Sequence, residues 1–424
     1  MEEKKQYENI VLATHAFLVD GNFNVRSGPT ASLLEYFLPK CKRFFLIGQP
    51  PPYVEGTLAP FLFVYESGVF KKAVYNKWFY AFYDIPEGKR RVTTSFKLKL
   101  RDLFSVLYFS SIIREKIGKE SVDYFIGVES VNAIAAAFVK IFIPIKSSIY
   151  YAFDWSVKWF NNFFFNFIYI QFDRWACRFS DFSWNASHRI EEARKDVLKY
   201  KNRVLGKQLT VPFGMMTFRE SLVSRIPPEG LNTIIYCGEL SYENGALLLP
   251  AIAKYLWEIK PSLKLIVIGG GDLFDSVKKE IYGLRLTNVE LKGHLSNQLE
   301  IDKILVTAHV AIAPYITLPY SKKRFGDVVK IRNYFACGLP VVTTNVPPIS
   351  DEILRESLGT IVPPQPEEIA AQCITLLENR AKYLSIRKNV IEKAKGYNWK
   401  MIYNETIGKM EGLRRNQLAG QRCN

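Results

Sequence analysis

Long apolar runs are missing from this chain of 424 residues, and none reaches the roughly 18 to 20 residues needed to span a bilayer. Met1 is followed by the charged Glu2-Glu3-Lys4-Lys5, and the first apolar stretch, Ile10 to Ala13, is too short for a signal peptide. These absences lead us to expect a cytoplasmic protein that touches a membrane, if at all, only peripherally, on the inner face of the plasma membrane. Cysteine is sparse: six residues, at 41, 177, 237, 337, 373 and 423, form no C-x-x-C pair. That spacing argues against a disulfide framework and a zinc site, and no metal is expected. Histidine is sparser still, with four residues, and His188 has no companion at metal-ligand spacing, so a structural role is expected for it. The G-x-G-x-x-G fingerprint of dinucleotide binding is also absent.

Acidic residues are too few to balance the basic ones: 41 Asp and Glu face 57 Lys and Arg, a formal net charge of +16. Such a surface attracts anions, whether nucleic acid, acidic lipid or a phosphorylated substrate. Residues 1 to 212 carry 30 basic against 20 acidic side chains, and the remainder 27 against 21, so the excess leans towards the N-terminal half. A hydrophobic share of 48% with 23% charged residues is globular, and the length calls for two domains.

What is present is an alternation of β-branched runs with helical periodicity. Ile10–Ala13, Phe44–Gly48, Asp123–Val128, Ile149–Phe153 and Asp181–Ser187 read as strands of a first series. Thr233–Gly238, Leu263–Ile268, Val289–Leu291, Val310–Ala313 and Val341–Thr344 read as strands of a second. Strand and helix in turn mean doubly wound parallel sheets, an α/β fold with two Rossmann-like domains. In such sheets ligands gather at the carboxyl ends of the strands, where helix N-termini favour anions.

Several strand ends therefore become candidates. Ser27 and Gly28 lie in a small-residue loop opening the helix Ala31 to Leu38. Glu129 and Asp154 follow two strands and are the acid/base candidates of the first half, a helix cap or a structural ion pair being the other role open to each. Lys322 to Asn345, KKRFGDVVKIRNYFACGLPVVTTN, reads as a helix presenting Lys330, Asn333 and Tyr334, stopped at Gly338-Leu339-Pro340 before a buried strand. Between Gly88 and Arg101 six basic residues occur without an acid, next to Trp78, Phe79, Tyr80, Phe82 and Tyr83. This combination suits an anionic bilayer face as well as a solvated loop. Phe160, Phe163, Phe164 and Phe167 fall at helical spacing, as core or as a membrane-facing stripe. Roughly residues 366 to 395 read as a last helical stretch on the second sheet, followed by an amphipathic tail helix.

Taken in order, the phrases IIYCGEL (234 to 240), LKLIVIGGGD (263 to 272), NVELKGHLSN (288 to 297), VAIAPY (310 to 315) and KIRNYFACGLPVVTTN (330 to 345) resemble a GT-B glycosyltransferase, similar to glycosyltransferase family 4. The first half matches more loosely, through VRSGPT, VESVNA, YYAFDW, FSWNAS and VPFG. The resemblance implies two Rossmann-like domains around a cleft: residues 1–212 for the acceptor, 213–395 for the nucleotide-sugar donor, and 396–424 as a helix returning to the first domain. It implies metal-independent, cofactor-free transfer from a nucleoside-diphosphate sugar. Lys330 matches the basic residue on the donor phosphates. Gly238, Gly270, His294 and Tyr315 match the surrounding donor loops, alongside Asn333 and Tyr334. The family's usual pair of glutamates would fall on Phe325 and Asn333, and its basic residues after the first glycine on Glu239 and Asn244. K-x-x-N-Y resembles divergent bacterial relatives, some of which invert and use an N-domain aspartate as base.

The expected function is transfer of a sugar to a lipid-linked or polysaccharide acceptor at an anionic membrane surface, as in polysaccharide biosynthesis. Asp154, then Glu129, are the bases and Lys330 the cation. Two alternatives stay open: a GT-B module that binds anionic ligands or membrane without catalysis, and a nucleotide-sugar 2-epimerase. No nucleic-acid motif is present, so no nucleic-acid partner is expected.

Overall fold

The computed structural model describes residues 6–19, 22–24, 28–50, 59–76, 78, 92–215, 223, 230 and 232–422. Two compact units result: Met1–Pro212 with Tyr403–Asn424, and Phe213–Ile402.

The first unit begins with β1 (Tyr7–Thr14), the small hairpin β2 (Phe17–Val19) and β3 (Asn22–Asn24), α1 (Gly28–Phe37) and β4 (Cys41–Gly48). Then come β5 (Phe61–Glu66), β6 (Val69–Tyr75), α2 (Val92–Ile117), β7 (Val122–Val128), α3 (Glu129–Val139) and β8 (Ile145–Ala152). It continues through α4 (Phe163–Phe179), β9 (Phe182–Asn185), α5 (His188–Asp196), α6 (Asn202–Leu205) and β10 (Lys207–Thr210). Eight strands make one sheet in the order β10-β9-β8-β7-β1-β4-β5-β6. The first six run parallel, and β5 and β6 add an antiparallel hairpin at the edge. β1, β7 and β8 are almost wholly buried, as near-continuous apolar runs covered on both faces should be. The hairpin adds two strands to those expected from the sequence, and Phe61, Leu62, Phe63 and Val64 pack in the core. Of the basic segment, 79–91 lies outside the described residues, as does Ser27.

The second unit carries β11 (Thr233–Cys237), α7 (Leu249–Ile259), β12 (Lys264–Ile268), α8 (Phe274–Gly283), β13 (Val289–Gly293), α9 (Gln298–Leu305) and β14 (Val310–Ala313). After it come α10 (Val329–Ala336), β15 (Val341–Thr343), α11 (Ile349–Glu356), β16 (Gly359–Ile361), α12 (Pro366–Glu378) and α13 (Arg380–Gly396). Its sheet is parallel throughout, in the order β13-β12-β11-β14-β15-β16. The chain winds outward from β11 through β12 to β13, then returns to β11's other side at β14. The switch point of this sheet is thus the gap between the carboxyl ends of β11 and β14.

Two helical readings change. The stretch expected as one helix up to Ala336 is a single 3-10 turn, Lys322–Arg324, followed by the separate α10. The interruption has a cause: Asp327 is buried between them, accepting from the Phe213 N–H at 2.8 Å and pairing with Arg332 at 3.2 Å. The stretch 366 to 395 is likewise two helices, because the Asn379 side chain caps α13 by accepting from the Lys382 N–H at 3.0 Å. The last helix, α14 (Trp399–Arg422), passes into the first unit at Tyr403. There the buried Tyr403 hydroxyl lies 2.9 Å from Ser32 Oγ, which fixes the first turns of α1.

Candidate active site

In the second unit the loops after β11, β12, β13 and β14 converge at one end of the sheet. Glycine permits the convergence. A Cβ on Gly269, whose φ is +148°, would lie 1.9 Å from the Gly238 carbonyl oxygen. Backbone bonds tie the loops together: Gly238 N–H to Ile268 O at 2.9 Å, Leu240 N–H to Gly270 O at 2.8 Å, and Gly269 N–H to Gly293 O at 2.8 Å. The exposed His294 stands beside Gly270, within 3.3 Å of where a Cβ there would sit. Glu239 and Asn244, where the resemblance places basic residues, brace their own loop, since Asn244 Nδ2 donates to the Glu239 carbonyl at 3.1 Å and to Ser241 Oγ at 2.8 Å.

Lys330, on the first turn of α10, reaches into this convergence. Its Nζ donates to Tyr236 Oη at 3.1 Å, and Tyr236 in turn donates to the Glu239 carbonyl at 2.7 Å. The same ammonium lies 4.2 Å from the Tyr236 ring centroid and 5.2 Å from that of Tyr315. One ring belongs to β11 and the other follows β14, so Lys330 straddles the switch point. Burial pushes its pKa down to about 7, helped by repulsion from Lys323. The half-buried Lys330 has no carboxylate among its hydrogen-bonding partners in the described structure, and an arriving anion would supply that counter-charge.

Gly238 holds the space that Lys330 occupies. A Cβ at this position, where φ is +155°, would come 2.3 Å from Lys330 Cε and 2.8 Å from Nζ. Gly238→Ala is therefore expected to displace the lysine and weaken binding of a nucleoside diphosphate about tenfold or more, with the melting temperature little changed. Titration calorimetry with the nucleotide checks it.

Tyr334 requires a correction. The sequence places it against the donor, but its ring is fully buried. Its hydroxyl accepts from the Cys237 N–H at 2.8 Å and lies 3.2 Å from the Ile312 carbonyl. The phenol pins β11 to β14 from inside and is unavailable to a ligand. Asn333 is half-buried on the same helix, and Phe325, the other position where glutamate is usual, is buried. Arg332 secures α10 from behind: its guanidinium pairs with Asp327 and Glu352 and stacks 4.5 Å from the Tyr397 ring. Sequence reading missed Tyr236 and Arg332, since a contact spanning 94 residues leaves no local pattern.

In the first unit the ends of β1, β4, β7 and β8 also converge. Gln49, after β4, exchanges amide hydrogen bonds with Asn132 of α3 at 2.9 Å in both directions. His15, after β1, has Nδ1 3.4 Å from the Gln49 carbonyl. Burial, then Lys99, pushes its pKa down to about 4. Glu129 stands where β7 becomes α3, with φ at +67°. A non-glycine residue in that region is strained, and such strain collects at functional sites. Its carboxylate accepts from the Asp154 N–H at 3.4 Å, and burial raises its pKa to about 7 against the opposing pull of Lys99. Asp154 itself is exposed, and the next residue is anchored: the Trp155 indole donates to buried Asp173 at 2.9 Å, which is paired with Arg194 at 2.6 Å. Glu129 thus touches the backbone of Asp154, the other carboxylate picked from sequence, and His15, which it passed over, shares with Glu129 the influence of Lys99. Gly28 opens α1, with Thr30 Oγ1 3.1 Å from Thr14 Oγ1 at the end of β1. Among the described residues no three His, Cys, Asp or Glu side chains group as metal ligands do.

Comparison with known proteins agrees with this architecture. Residues 218–396 match the family model described as "Glycosyl transferases group 1". A chitobiosyldiphosphodolichol beta-mannosyltransferase of Yarrowia lipolytica is 25% identical over 171 residues, 40% of this chain and 35% of that protein. The alignment spans only about a third of the relative's length. Among solved structures, "Trehalose-6-phosphate from E. coli bound with UDP-2-fluoro glucose" superposes with a TM-score of 0.67 at 12% identity, covering 95% of this chain and 98% of the other. Sucrose-phosphate synthase from Thermosynechococcus elongatus superposes at 0.62 with 17% identity, covering 97% and 100%. Residues 218–396 thus carry a match to the group 1 glycosyl transferases, and the two parallel-sheet units share the GT-B fold of those solved structures.

Proposed function

We propose that this protein moves a sugar from a nucleoside-diphosphate donor to a hydroxyl of a lipid-linked or polysaccharide acceptor at the cytoplasmic face of a membrane. The observation that carries the reading is Lys330 straddling the switch point between β11 and β14. As the bond between the sugar's anomeric carbon and the diphosphate oxygen breaks, negative charge grows on the leaving group. A desolvated lysine beside the N-terminus of α10 suits that charge, because the site is organised before the reaction. The incoming hydroxyl forms the new bond to the anomeric carbon and gives up its proton. Asp154 is the accessible carboxylate for that proton, and Glu129 orients its backbone. Lys330 serves without a metal in this reading.

Two observations favour a lipid-linked acceptor. The Yarrowia relative is named for a diphosphodolichol substrate. Around the start of α4, Trp159, Phe163, Phe164 and Phe167 are 42%, 85%, 62% and 52% exposed, in place of the core packing that their spacing also allowed. No helix of the described residues is long and apolar enough to cross a membrane, so this patch would bind from one side.

A thermal-shift screen against UDP-, GDP-, dTDP- and ADP-sugars in EDTA tests the donor half. One of them is expected to raise the melting temperature by several degrees, since a ligand at about 100 times its Kd adds about 2.7 kcal/mol. No response to any of the four, with or without divalent metal, would remove the reading.

A further inference from the structure

The first unit has a second concavity that the proposed reaction has not used. Helices α2, α3 and α4 enclose a groove of about 550 Å³. Its walls include Leu103, Ile134, Phe138, Phe172 and Trp175, and among the described residues of the lining Lys99 is the one that carries charge. The rim stays open to solvent: Phe138 is 49% exposed, Trp175 45% and Ile141 80%. A trough of this size and apolarity lies in the range of small-molecule sites, and leaving it in water is unfavourable.

Position and charge select its occupant. Lys99 lines the groove and is also the cation that acts most strongly on Glu129 and on His15. An apolar chain lying along the groove, which is lined by both Lys99 and Val131, would therefore bring an anionic head to Lys99, within electrostatic reach of Glu129. A flat bilayer surface cannot fill a concave trough, whereas a flexible hydrocarbon chain can. We infer that the α2–α3–α4 groove seats the hydrocarbon chain of a phosphate-bearing lipid acceptor, with Lys99 on the phosphate. This inference rests on the reading that the acceptor is lipid-linked, and it assigns that lipid's chain a place.

The probe is farnesyl phosphate below its micelle concentration, measured by equilibrium dialysis against farnesol and inorganic phosphate. Wild-type protein is expected to bind farnesyl phosphate at least about tenfold more tightly than either. Ala137→Trp fills the groove, and Phe138→Asp puts a carboxylate on its exposed wall. Each should weaken binding about tenfold or more while leaving the nucleotide-sugar thermal shift intact, which shows that the variants are folded. Lys99→Ala should erase the preference for farnesyl phosphate over farnesol. The inference is overturned if wild type fails to bind the probe, or if both groove variants bind it as wild type does. It is also overturned if anionic vesicles bind the wild type and Ala137→Trp equally while the free probe binds neither, because the face would then dock on a bilayer surface only. A lipid acceptor used equally well by wild type and Ala137→Trp would sink the groove and leave the proposed reaction standing.

Discussion

Asp154→Asn is expected to lower kcat for sugar transfer by roughly 10²- to 10⁴-fold, the range for loss of a general base, with donor affinity unchanged. The asparagine keeps the side chain's size and loses its proton acceptor. The loop should hold its shape, because Trp155 remains bonded to Asp173 and the Glu129 carboxylate remains on the residue's backbone N–H. Glu129→Gln is the informative companion. Its carboxyl is held up at about 7, above the ordinary 4.5, because burial disfavours the charge. A raised carboxyl pKa contributes stability that is complete below 4.5 and is lost as pH climbs through about 7. The melting temperature of wild type relative to Glu129→Gln should therefore fall across that window, and transfer by Glu129→Gln should exceed that by Asp154→Asn. Equal activity of Asp154→Asn and wild type would remove Asp154 from the mechanism.

Lys330→Ala is expected to cost roughly 10²- to 10³-fold in kcat/KM, the scale of removing one preorganised electrostatic group at a site of developing charge. The pH dependence separates this role from a structural one. A lysine lowered to about 7 is half neutral at that pH, and a diphosphate beside it favours the charged form. Below pH 7 the ammonium is already charged and binding takes up little. Above it, binding must capture a proton, so affinity for the nucleoside diphosphate should fall as pH rises through 7 to 9. In Lys330→Ala the affinity should be lower and flat over the same range. An unchanged slope in the variant would assign the titration to another group.

Much of this arrangement is legible in the sequence. Parallel sheets follow from β-branched runs alternating with helical periodicity; Lys330, Glu129 and Asp154 become candidates because each stands at a strand or helix end, and Gly238 and Gly270 through the family resemblance. What stayed hidden are relations between distant residues. Nothing local tells that Tyr236 carries the Lys330 ammonium, that Asp327 ends one turn and anchors the next helix, or that Tyr334 is consumed by the backbone of β11 and β14. The strand β5 was masked because its aromatic residues, read with the basic run that follows, have the composition of a membrane-facing segment. Glu129's left-handed backbone and raised pKa are likewise products of tertiary packing. The aromatic spacing of α4 could be read, but the groove it forms with α2 and α3 could not, because concavity belongs to three helices together.

The central claim is that Lys330 receives the diphosphate of a nucleotide sugar. Titration calorimetry of the responding nucleoside diphosphate at pH 8, in two buffers of different ionisation enthalpy, tests it most directly. The expected result is uptake on the order of one proton per site in wild type and none in Lys330→Ala. Tight binding with no proton uptake in wild type, or the same uptake in both proteins, would contradict it.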